Sequence, residues 1–113
     1  MNQQTYIIKF EDTSDADANR HASELRDILL DANPDIEVHR RRDNPYTQDL
    51  GATLVLVLET PVAVAIIKAV ENWLALRRGT ITIEREGGEI TKVTGTNLTK
   101  EAQLKILKIF TEK

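Results

Sequence analysis

Two histidines, a run of arginines and a scatter of carboxylates are the side chains of this sequence best suited to bind or catalyse. Asp17, His21 and Glu24 recur at spacings that place them on one side of a helix, where two carboxylates and an imidazole could face a metal ion. No metal motif has this spacing and only His39 could add a second imidazole, so the preferred reading is a solvated helix face. His39-Arg40-Arg41-Arg42 is the densest positive cluster, and Arg77-Arg78 would extend it if the two lay together. Such a patch suits a phosphate, an acidic peptide or RNA. The same charges would also guard an exposed edge strand, which is the reading preferred over anion binding by Arg40, Arg41, Arg42, Arg77 and Arg78.

The other chemical motifs fail on inspection. Val93-Thr94-Gly95-Thr96-Asn97 lacks the second glycine and the Gly-Lys-Ser/Thr ending of a phosphate loop, so it reads as a strand leading into a helix cap. Asn97-Leu98-Thr99 spells a glycosylation acceptor, which has meaning only for a secreted chain. Ser14 and Ser23 are the only serines, and neither sits in the glycine-flanked turn that exposes a nucleophile. No pair of carboxylates occupies an apolar context that would raise one of them for acid catalysis. The expectation is a non-enzymatic protein with no cofactor and no resident metal.

Composition narrows the class further. At 113 residues the chain has the length of one domain, 1–113. Lys and Arg number 15 against 18 Asp and Glu, a net charge of -3, and aromatics make up 4% of the chain. Both facts argue against nucleic acid, which needs excess positive charge and stacking platforms. The absence of cysteine removes disulfides and thiolate chemistry. No basic segment leading into an apolar core opens the chain, so a cytoplasmic location is expected. Leu50 to Val70 is the one membrane candidate, but a span needs about 20 apolar residues. Glu59-Thr60-Pro61 and then Lys68 interrupt it, so no membrane association is expected.

The elements that must position these residues follow from periodicity. Residues 5–10 alternate as a strand. Ser14 with Asp17 resembles a capping box, and Ala18, Ala22, Leu25, Leu29 and Ala32 then form the apolar stripe of a helix ended by Asn33-Pro34-Asp35. Ile36 and Val38 alternate in a second strand, and strand, helix and strand together read as a parallel βαβ unit. Residues 42–49 read as a surface loop. Pro61 suits the first turn of a helix capped by Thr60, and Arg77-Arg78-Gly79 its end, with glycine in the left-handed position. Residues 53–58 fit either a buried strand, by their branched residues, or a short helix bent at Thr60-Pro61; the helix is preferred.

Residues 80–84 alternate as a strand that turns at Glu86-Gly87-Gly88. A two-residue loop would set Ile83 opposite Lys92. A three-residue loop sets Ile81 opposite Val93, Ile83 opposite Thr91 and Arg85 opposite Glu89; it keeps the apolar side consistent and is preferred. Thr99 caps a final helix with Glu101 in its first turn and Ala102, Ile106, Leu107, Ile109 and Phe110 on its apolar side. The expected fold is α/β, in the α+β sense: a small mixed four-stranded sheet, order β-α-β-(α)-α-β-β-α, with helices packed on the sheet.

The segment G-A-T-L-V-L-V-L-E-T-P-V-A-V-A-I-I-K-A-V-E-N-W-L-A-L-R-R, with Trp73-Leu74 near the paired Arg77-Arg78, is followed by the T-I-T-I-E-R-E-G-G-E-I-T-K-V hairpin and an amphipathic helix. In this order it resembles the effector-associated constant component family of bacterial conflict systems. Glu59-Thr60-Pro61 stands where family members often have a glycine or serine break. The resemblance implies a small α/β adaptor or trigger encoded beside variable effectors, such as caspase-like or trypsin-like proteases, and it supplies no catalytic residues. The helix after Pro61 is apolar over a broad face, more than one sheet covers easily together with residues 54–58. Leu54, Leu56, Leu58, Val62, Ile66 and Trp73 are therefore candidates for contact with an effector or a second copy, with a place in the core as the equal alternative.

Overall fold

A computed structural model describes residues 3–42, 52–59 and 62–111. Along the chain run β1 (Gln3–Glu11), α1 (Asp15–Ala32), β2 (Glu37–Arg41), β3 (Thr53–Glu59), α2 (Ala63–Arg77), β4 (Thr80–Arg85), β5 (Ile90–Thr94) and α3 (Lys100–Thr111). Among the described residues the strands form one five-stranded sheet in the order β2-β3-β1-β4-β5, and every neighbouring pair is antiparallel.

The fifth strand corrects the reading of residues 53–58 as helix. At about 100° per residue a helix would turn Leu56 some 200° away from Leu54, splitting the leucines between opposite sides. As a strand, Leu54, Leu56 and Leu58 all face inward and are buried, while Val55 and Val57 face the other way. Fully burying each leucine contributes about 1.5–3 kcal/mol, more than the few tenths that helix propensity offers.

This strand also changes the first third of the chain. β3 lies between β1 and β2 and pairs with both, so the expected parallel pair is split and the sheet is antiparallel rather than mixed. The hairpin adopts the three-residue loop: Ile81 pairs with Val93 and Ile83 with Thr91. Gly87, at φ 83, takes the third position of the turn closed by the Gly88 N–H donating to the Arg85 carbonyl at 2.7 Å.

The helix ends follow local chemistry. Ser14 Oγ accepts from the Asp17 N–H at 3.2 Å, and Thr99 Oγ1 accepts from the Ala102 N–H at 3.2 Å. Before Pro34, Asn33 is driven to extended backbone and stops α1. At the end of α2, however, Arg78 rather than Gly79 is left-handed, at φ 51. Gly79 serves a different need, since a Cβ there would stand 2.8 Å from the Trp73 ring. The expected cap Thr60 and first-turn Pro61, like the loop at 43–49, lie outside the described residues.

One face of the sheet carries Tyr6, Ile8, Val38, Leu54, Leu56, Leu58, Ile81, Ile83 and Val93 into a single core closed by the helices. Leu25 and Leu29 of α1, Ile66, Val70, Trp73 and Leu74 of α2, and Ile106 and Phe110 of α3 complete it. The Tyr6 hydroxyl donates to the Phe110 carbonyl at 3.1 Å, anchoring α3 to the central strand, and burial raises its pKa. Leu107, read as apolar-face from sequence, is instead 41% exposed.

Candidate functional site

The first constellation singled out from sequence is divided by the fold. Asp17 pairs with Arg20 at 2.9 Å on the helix surface. His21 sits between rings, 5.9 Å from Phe10 and 5.3 Å from Trp73 by centroids. Glu24 Oε1 accepts from Trp73 Nε1–H and from Arg77 Nε–H, each at 2.8 Å, while Oε2 accepts from Arg77 Nη2 at 2.6 Å. The forked Arg77 bond is the largest influence holding the Glu24 carboxyl below its ordinary pKa; partial burial opposes it and the indole N–H assists. Among the described residues no group of three or more His, Cys, Asp or Glu converges as metal ligands would.

This arrangement clasps α1 to α2. It borders a cavity of about 210 Å³ whose lining includes Asp12 and Arg78, the two non-glycine residues of positive φ among the described residues. The missed signal was Trp73, whose buried indole requires an acceptor, and Glu24 supplies it.

The arginines do not merge into one patch. β2 is an edge strand, three strand spacings or about 14 Å from β4, where the 77–78 pair feeds in. Arg40 Nη2 donates to the Asn19 carbonyl and side-chain oxygen at 3.2 and 2.9 Å, and Arg77 is held by Glu24. His39, Arg40 and Arg41 therefore line a sheet edge, with Arg42 just beyond it and exposed.

The candidate interface residues lie in the core. Leu54, Leu56, Ile66 and Trp73 are at most 1% exposed, Leu58 is buried, and Val62 packs against them half-buried. Because residues 53–59 are part of the sheet, their leucines and the apolar face of α2 join one buried core, and the apparent excess is used up inside the chain.

A different surface remains beside β5. Two adjoining cavities, about 540 and 260 Å³, share Lys92 and Lys105 and together run from Ile90 to Thr94 between the strand and α3. Ile106 and Phe110 turn α3 toward the core, which leaves Lys105 and Lys108 overhanging the strand. Arg85, Lys92, Lys105 and Lys108 line this groove against Glu89 and Glu101, so it is basic on a chain of net charge -3. Lys92 pairs with Asp12 at 3.5 Å and Lys105 with Glu101 at 4.0 Å. Both pairs are well exposed, and such pairs hold by about 0–1 kcal/mol, so an incoming carboxylate competes with them. Ile90, 65% exposed, stands at the rim, and Ile109 lines the wall half-buried.

A family model described as Effector Associated Constant Component 1 matches residues 14–111, from the cap of α1 to the end of α3. The chain belongs to that family. The match takes in the whole sheet after β1 and all three helices, including both walls of the groove. No curated protein and no solved structure matches the chain. The family description places the protein among components associated with effectors. No helix among the described residues is long and apolar enough to cross a membrane.

Proposed function

We propose that the protein is a non-enzymatic adaptor or regulator that binds an effector of a bacterial conflict system through the groove between β5 and α3. The observation that carries this reading is the groove itself: a basic, partly apolar channel as long as its strand, on an otherwise acidic chain. Membership of an effector-associated family supports a protein as the occupant, and complementary charge would steer an acidic surface into it. The bound effector would be encoded beside this chain, a protease-like protein being one candidate.

The test is a calorimetric titration of the purified chain with the effector encoded beside it. Saturable binding is expected, weakened at least tenfold by the double reversal Lys105→Glu, Lys108→Glu and unchanged by His39→Glu at the opposite sheet edge. An effector that does not bind, or that binds the double variant as well as the parent, would overturn the proposal.

A further inference from the structure

The two edges of the sheet are built differently. β2 reads Glu-Val-His-Arg-Arg, with four of five side chains polar, and Arg40 is tied back to α1. Charges of this kind discourage strand addition. β5 reads Ile-Thr-Lys-Val-Thr: four of its five residues are β-branched, which favours extended pairing, and one is charged. Its inner side pairs with β4 from Thr94 to Ile90, and its outer side has no strand neighbour among the described residues. That outer side opens into the groove along the strand's whole length, about 17 Å for five residues.

The groove therefore offers a row of backbone donors and acceptors on one wall and side-chain positions on the other. Thr91 and Val93 share the helix-side face with their partners Ile83 and Ile81, while Ile90 and Lys92 lie on the opposite face. A chain lying beside β5 would alternate in step. Its side chains toward the helix would meet Ile109, Lys105 and Lys108, and those on the other face would meet Ile90 and Lys92. Cations thus line both faces of the path such a segment would take, each beside an apolar contact. We infer, resting on the groove reading above, that the segment taken there is extended and acidic and adds to the sheet as a sixth strand beside β5. In this mode backbone hydrogen bonds supply affinity while the alternating pockets and lysines select acidic sequence.

The probe is a fluorescein-labelled octapeptide alternating Glu with Val, measured by anisotropy against the full chain. Saturable binding is expected. It should fall at least tenfold for the peptide N-methylated at every amide, for the Lys-Val counterpart, and for the Lys105→Glu, Lys108→Glu variant, but not for His39→Glu. If the Glu-Val peptide fails to bind, or the methylated peptide binds as well as the parent, strand addition is overturned, while effector binding that depends on Lys105 and Lys108 would still uphold the adaptor reading. If the peptide behaves as expected and the effector does not bind, the strand-addition site stands and the adaptor reading falls.

Discussion

Adding one methyl group at Gly95 should separate the end of α2 from the chain leaving β5. A Cβ there would lie 2.0 Å from the Leu74 carbonyl oxygen and 2.6 Å from its carbon, where ordinary contact begins near 3.4 Å. The obstacle is backbone, so no rotamer change relieves it. The same carbonyl accepts the Arg78 N–H that caps α2 at 2.7 Å, and the Gly95 N–H donates to the Gly79 carbonyl at 2.8 Å. Opening the gap by about 1.4 Å (3.4 minus 2.0) strains both bonds. Overpacking costs about 1–3 kcal/mol and one lost hydrogen bond about 1, so Gly95→Ala should destabilise by about 2–4 kcal/mol. For a domain of this size, that lowers Tm by roughly 8–16 °C. Gly87→Ala is the control, because its site is open and only the positive φ is disfavoured, at about 1 kcal/mol. Urea denaturation followed by circular dichroism measures both. A Gly95→Ala chain within about 0.5 kcal/mol of the parent would refute the close packing of α2 on this turn.

Two further outcomes separate core from surface and test the clasp. Leu54→Ala should cost about 2–5 kcal/mol in denaturant titration, whereas Leu104→Ala, 64% exposed on α3, should stay within about 0.5 kcal/mol. Glu24 has a folded-state pKa below its unfolded value, so its contribution is present above the unfolded value and is lost as pH falls through the folded one. Comparing Tm for the parent and Glu24→Gln should therefore show a gap at pH 7 that narrows as pH falls below the ordinary glutamate value of about 4.3. A gap that stays constant across this range would remove the ion pair from the account.

The elements legible in the sequence are those whose period and caps agree. Ser14, Asn33 and Thr99 each act as read, and the preferred hairpin register is the one observed. Residues 53–58 were misread because a short, continuous apolar run carries no caps of its own, and only the sheet decides between strand and helix. That reading left the sheet one strand short; the parallel unit, drawn from the short strand-helix-strand connections, gives way because β3 enters between β1 and β2, and of the two places open to Leu54, Leu56 and Leu58 the structure puts them in the core. The Glu24 clasp was half visible, as His21 and Glu24 on one helix and Arg77 on another, but their meeting depends on packing. The groove was not legible at all. Lys105 and Lys108 look like the polar side of an ordinary amphipathic helix until α3 is laid beside an edge strand.

The central claim, that effectors are held along β5, is tested most directly by amide hydrogen exchange of the chain alone and bound to the effector encoded beside it. Strand addition predicts new protection at Ile90–Thr94 with little change at Glu37–Arg41 on the other edge. Protection confined to β2, or bound β5 amides that exchange as fast as free ones, would contradict it.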